Sequence, residues 1–237
     1  MTTTTKNQYR LNSLPESVQG KGVAVIGGAS AVVRATALLL ASRGATVLIL
    51  GRHEQDFQRT VQAIRNSGGE AIGVAVKACS VDDVEQIVDE VEGYLGSIDI
   101  LVNNVDLAVE GQASAAGKTD TRALLAGCAG EIICRMKDHG KGHIINVRAG
   151  DMGKALSGQP GVVASANSLP ASLRRELTQL GIKVTIVEPD TFDDPIVLET
   201  DTQPRLPRNG AALLARNIAE GVYYSVTQSR RVDVVLV

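Results

Sequence analysis

Gly27-Gly28-Ala29-Ser30 is the stretch of this 237-residue chain whose residue types and setting suit it to a phosphate group. The apolar run Val23-Ala24-Val25-Ile26 before it reads as a buried strand, Val33 to Arg43 after it as a helix that Gly44 can stop, and Thr46 to Leu50 as a second buried strand. Strand, glycine turn, helix and strand, closing on Gly51-Arg52, make the frame of a dinucleotide-binding half.

Other chemistries find no footing. His53, His139 and His143 are scattered, and Cys79, Cys128 and Cys134 are odd in number without metal-ligand spacing, so no metal site is expected. A nucleophilic Cys128 or Cys134 would need a paired histidine for which the sequence offers no geometry; all three cysteines read as reduced, buried thiols. Ser157, Ser165 and Ser168 lack the G-x-S-x-G elbow.

The glycine turn resembles that of the short-chain dehydrogenase/reductase family, T-G-x-x-x-G-x-G, and stands here as Ile26-Gly27-Gly28-Ala29-Ser30-Ala31-Val32-Val33, followed by the family-like Arg34-Ala35-Thr36-Ala37. Ile98 to Asn104 is similar to the family's fourth strand and N-N-A-G turn, continued as Val105-Asp106. Gly142 to Val147 resembles its fifth strand, and Gly181 to Pro189 its sixth. Val232 to Val237 resembles a last strand. The resemblance implies an α/β fold: a Rossmann-type doubly wound parallel sheet of about seven strands, order 3-2-1-4-5-6-7, with helices on both faces.

It also implies a catalytic tetrad. In the family a tyrosinate exchanges the proton on the substrate oxygen, a lysine lowers that tyrosine's pKa, a serine polarises the carbonyl, and an asparagine holds a relay water. None of Tyr9, Tyr94, Tyr223 and Tyr224 has a lysine four residues later. By spacing the serine falls on Ala149, the tyrosine on Val163, the lysine on Asn167 and the asparagine on Thr121; another gap placement moves the tyrosine to Gln159 and the lysine to Val163. Neither placement supplies an acid.

The implied cofactor contacts are thinned in the same way. The first glycine is kept as Gly27, while the second is Ala31 and the third Val33, where a β-branched side chain is expected to push the helix outward. Gly28, Ser30, Arg34, Arg52 and Asn103 remain as vestigial contacts. Arg52 stands where NADP-preferring relatives place a base for the 2′-phosphate; a solvated surface charge is the other reading. Asp106 and Asp190 replace family glycines, and Asp194, beside Asp193, replaces the threonine that holds the carboxamide. A carboxylate 4 Å from a phosphate charge costs roughly 1 kcal/mol in water and ~4 kcal/mol at an effective dielectric of 20. Arg148 is a candidate partner for one of these acids, and ordinary loop polarity is the competing account of them. No bound cofactor is expected, with NADP favoured over NAD if either binds.

The elements that must position these groups are legible around them. Val84, Ile87, Val88, Val91 and Leu95 share a helix face, and Ser80 followed by Asp83 reads as a capping box. Thr119 to Met136 and Val162 to Leu180 resemble the helices of the family's dimer interface, the second carrying Pro170 and lacking about one turn. A homodimer or homotetramer is therefore expected, with a protein partner or a small molecule in the cleft as further possibilities. Unbroken strand and helix alternation makes residues 21–237 one domain, preceded by a flexible polar tail, residues 1–20, with neither a signal peptide nor a membrane span. A hydrophobic content of 44% suffices for a large core, and a net charge of −2 gives no footprint for nucleic acid. A cytoplasmic protein is expected. Three functions fit: a non-catalytic family member acting as partner, scaffold or sensor; an enzyme of altered, non-redox chemistry such as cyclisation or isomerisation; and a dehydrogenase with a non-standard proton donor.

Overall fold

The structure, a computed structural model, describes residues 15–27, 30–76, 83–104, 121–147, 171–189, 215–229 and 234–236. Its strands are β1 (Gly22–Ile26), β2 (Thr46–Gly51), β3 (Glu70–Ala75), β4 (Ile100–Asn103), β5 (His143–Val147), β6 (Lys183–Pro189) and β7 (Val234–Leu236). All pair in parallel, in the order β3-β2-β1-β4-β5-β6-β7, as the resemblance implies. Parallel strands need crossovers, and these are helical: α1 (Ala31–Ser42), α2 (Glu54–Asn66), α3 (Asp83–Leu95), α4 (Thr121–His139), α5 (Ala171–Gln179) and α6 (Ala215–Thr227).

Alternation of side chains along buried strands sends each strand into two cores. Val23, Val25, Val47, Ile49, Val102 and Ile145 meet α1, α2 and α6 on one face. Ala24, Ile26, Leu48, Leu50, Leu101 and Ile144 meet α3, α4 and α5 on the other. Because both faces are covered, β1 and β5 are buried at every residue, and β1 reads as a continuous apolar run while β5 buries His143 and Asn146 near its two ends.

The expected helix bounds shift by a few residues. The first helix begins at Ala31 and ends at Ser42; Arg43 caps it, and Gly44, at φ +85°, donates its N–H to the Ala41 carbonyl at 2.9 Å. The fourth runs to His139, three residues past its expected end, so Lys137 and His139 fall in its last turn, where cations suit the helix dipole. Arg135 of α4 reaches Asp89 of α3 at 2.9 Å and Glu131 at 2.8 Å. The expected helix from Val162 is seen from Ala171 onward, and its earlier part, with Pro170, lies outside the described residues, as does Ser80 of the expected capping box.

Two expectations are corrected. Cys134 is exposed on α4, while Cys128 one and a half turns earlier is buried, because Cys128 shares the face of Ile132 that turns to the sheet. Residues 15–20, expected in a flexible tail, are packed on the body: Val18 is 2% exposed in the core, and Glu16 N–H donates to the Thr227 carbonyl. Residues 1–14 lie outside the described residues.

The start of β1 is held most tightly. Asp99 Oδ2 accepts the Gly22 N–H at 3.0 Å, Asp99 N–H donates to the Gly22 carbonyl at 2.9 Å, and the Asp99 carbonyl accepts His143 N–H at 2.9 Å. A Cβ on Gly22 would collide with the Ser97 carbonyl oxygen, which the Asp99 bonds hold in place. Gly93, inside α3, has open space where its Cβ would stand. Urea unfolding should therefore show Gly22→Ala destabilised by about 2 kcal/mol or more and Gly93→Ala stabilised by about 0.5–1 kcal/mol. Equal effects of the two would contradict this packing.

Candidate functional site

In a doubly wound sheet the ligand crevice lies beyond the carboxyl ends of the strands where the strand order reverses. Here that point is between β1 and β4. Their ends are in register, Ile26 against Asn103, and the helices that follow, α1 and α4, pack on opposite faces of the sheet.

Gly27 has φ +135°, which an L side chain rarely adopts, and its N–H donates to the Leu50 carbonyl at 3.1 Å. A Cβ built there would lie 3.2 Å from Val33 Cγ2 and 3.2 Å from Asn104 Cβ. Val33 itself is 1% exposed. Val33 belongs to the core that α1 shares with the sheet, and its side chain lies beside Gly27. The glycine that survives is the one whose absence of Cβ makes room for the valine.

Ser30 caps α1 with φ −75° and ψ 145°, and its Oγ accepts the Val33 N–H at 3.1 Å. The Ser30 carbonyl accepts the Arg34 N–H at 3.1 Å. Asn104 Nδ2 also donates to Ser30 Oγ, at 2.9 Å, while Asn104 N–H donates to the Ile26 carbonyl at 3.0 Å. A side-chain hydrogen bond thus spans the switch point, tying the end of β4 to the cap of α1. The cap thus engages the Val33 N–H, and the Arg34 N–H makes the first bond of the helix itself.

Beneath this bridge, Asn103 and Asn146 face each other in register on β4 and β5, with Asn103 Nδ2 donating to Asn146 Oδ1 at 2.7 Å. Both are within 1% of full burial, and Asn146 Nδ2 has no partner. A buried donor without an acceptor costs about 1–3 kcal/mol, which an acceptor entering the cleft would relieve. Asn104 and Asn146 were not expected to matter. The signal was present: both polar residues stand at the carboxyl ends of otherwise apolar strands.

Arg52 is exposed just past β2 and lines a shallow cleft of about 580 Å³ with His53, Glu54, Gln55, Gln58 and Ala75. Arg34 sits half-buried on the first turn of α1. Thr121 opens α4. Gly28, Asp106, Arg148, Ala149, Val163, Asn167, Asp190 and Asp194 lie outside the described residues, so the structure brings together Gly27, Ser30, Asn103 and, at a distance along β2, Arg52. No group of three metal-ligating side chains occurs among the described residues, and no helix there is long and apolar enough to cross a membrane.

This geometry has relatives. Residues 21–204 match the family model of the short chain dehydrogenases. An uncharacterized oxidoreductase of Staphylococcus epidermidis is 28% identical over 234 residues, covering 92% of this chain and 95% of that protein. Another, of Bacillus subtilis, is 27% identical over 193 residues, covering 76% and 70%. Among solved structures, a variant of actinorhodin polyketide ketoreductase with NADPH superposes with a TM-score of 0.65 at 24% identity, covering 93% of this chain and 97% of its own. The citronellol catabolism dehydrogenase of Pseudomonas aeruginosa does so with 0.66 at 22%, covering 94% and 95%. These two likenesses attest the fold alone. With the family model matching most of its length, the chain belongs to the short chain dehydrogenase family.

Proposed function

We propose that this chain is a family member that does not reduce carbonyls and acts instead as a partner subunit, scaffold or sensor in the cytoplasm, built as a homodimer or homotetramer. The observation that carries this reading is that no tyrosine in the 237 residues is followed four positions later by a lysine. Thr121, Ala149, Val163 and Asn167 occupy the positions that correspond to the tetrad. Hydride delivered to a carbonyl leaves an alkoxide, and without an acid of suitable pKa beside it the step has no proton source.

The cofactor side agrees. Val33 fills the space beside Gly27, and the Ser30–Asn104 bond engages the cap that a pyrophosphate would approach. Asp106, Asp190 and Asp194 add negative charge to the segments that follow β4 and β6. Should a dinucleotide enter, Arg52 favours NADP over NAD, since it stands where NADP-preferring relatives place a base for the 2′-phosphate.

A second reading rests on Asn146, whose buried, unpartnered amide would take an acceptor oxygen from a small molecule in the old substrate cleft. It would make the chain an enzyme of altered, non-redox chemistry. The oxidoreductase names of the relatives belong to the third reading, a dehydrogenase with a non-standard proton donor.

Calorimetric titration separates them. Neither NADH nor NADPH should bind below millimolar concentration, and micromolar binding would bring the dehydrogenase reading forward. Restoring Ala149→Ser, Val163→Tyr and Asn167→Lys should yield no carbonyl reduction, because a proton donor is idle where the hydride donor cannot bind. Adding Ala31→Gly, Val33→Gly, Asp106→Gly and Asp190→Gly should restore NADPH binding before any turnover. Since Val33 is buried, its replacement by glycine should also lower stability by about 2–4 kcal/mol from lost burial and helix propensity, so binding is scored on protein shown to be folded. Activity in the triple variant alone would overturn the proposal. Sedimentation at micromolar concentration should show a dimer or tetramer; a monomer would contradict the assembly.

A further inference from the structure

At the end of the sheet opposite the nucleotide crevice lies a cavity of about 200 Å³, lined by Glu16, Lys21, Asp99, Lys141, His143 and Lys183 among others. Its charges are largely matched within the chain. Glu16 Oε2 accepts from Lys183 Nζ at 3.0 Å and from Lys21 Nζ at 3.3 Å, Lys183 also donates to the Gln228 carbonyl at 3.0 Å, and Lys141 stands 3.7 Å from Asp99. One group in the cavity wall is not matched. His143 is 4% exposed; its Nε2 pairs with Thr185 Oγ1 at 3.0 Å, and its Nδ1 has no partner.

What closes this end of the molecule is the segment from Pro15 to Gly20. Val18 plugs into the core, Glu16 binds Thr227 of α6 through its N–H and Lys183 of β6 and Lys21 through its carboxylate, and Gly20 N–H donates to the Gly44 carbonyl at 2.8 Å. Gly44 is short of a side chain where Gln19 lies, since a Cβ there would be 3.0 Å from Gln19 Cγ. These contacts are few and hold a segment without helix or strand, which is the composition of a unit that opens locally.

We propose that residues 15–20 form an acid-released strap, which closes the basal end of the sheet over an uncharged His143 and lifts away as a unit when that imidazole takes up a proton. Burial and the two lysines that face His143 set the direction against the opposing Glu16. Burial first, and then the Lys183 ammonium, hold the closed-state imidazole down to about 3, with Lys21 adding to this and Glu16 opposing it. Asp99 and Lys141 complete the ring. Burial raises the Glu16 carboxyl, but Lys183 and Lys21 outweigh it and leave it below its usual range.

The closed strap therefore keeps His143 neutral and Glu16 charged. Once the strap lifts and water enters, His143 titrates near its ordinary 6.5 and Glu16 near 4.5. The open state binds the extra protons in both cases, so closure is complete above the imidazole's ordinary pKa and weakens as pH falls below it. For His143 alone, lowering pH from about 7.5 to about 5.5 raises the opening constant about tenfold.

Amide hydrogen exchange on the full chain reads this directly. Protection of Glu16 and Gly20, corrected for intrinsic exchange, should fall about tenfold between those pH values, while amides of α3 hold theirs. In His143→Gln, whose amide can still meet Thr185, the strap's fall should vanish. In Glu16→Gln the strap should be less protected at both pH values yet keep the fall, since His143 remains. Strap protection that is independent of pH, that drops together with α3, or that keeps its fall in His143→Gln would overturn the proposal.

Discussion

Where α1 crosses the end of β1, the backbone must turn within a few residues while two buried elements come close together, and the rest of the site depends on how that crossing is packed. Gly27 supplies the turn, with a positive φ and no side chain. In a dinucleotide-binding half the first glycine makes this turn and a second, whose place Ala31 takes here, lets the backbone approach a pyrophosphate. Here Val33 occupies the space beside Gly27, and Asn104 reaches across from β4 to the Ser30 cap. In the proposed reading, the crossing that would admit a phosphate is satisfied from within. That leaves the fold intact, because Val33 adds to the core that α1 shares with α6 and the sheet.

The proposed loss of function and the retention of fold are compatible because they draw on different ends of the strands. The cores are filled by strand interiors such as Val25, Ile49, Leu101 and Ile144, and the basal end is knit by Asp99 and its bonds to Gly22 and His143. The residues proposed to have lost their chemistry follow the carboxyl ends. A family can therefore trade its tetrad for other residues at little cost in stability.

The strand runs were legible because parallel strands buried on both faces have no polar alternation to blur them, the end of α1 because a glycine follows it, and the sheet order only through the family resemblance. β3 was not singled out: its burial is partial, and Gly73 interrupts it, kept small by the Phe57 ring packed against it. The docking of Val18 was invisible because a lone apolar residue between polar neighbours has no period to read. The packing of Val33 was not legible either, since its type does not say which way the side chain turns, and the missing Cβ of Gly27 leaves it a place. The Ser30–Asn104 bridge joins residues 74 positions apart, which no local pattern encodes.

The central claim is that the crevice at the β1–β4 switch point is filled by the chain itself. It is tested most directly by following the backbone amide resonances of Gly27, Ser30 and Val33 as NADPH is added up to millimolar concentration. A self-filled crevice predicts that these signals stay in place while remote surface amides respond only weakly and without saturation. A saturable shift centred on those three residues would contradict it and show that a dinucleotide still displaces Val33 or Asn104 from the turn.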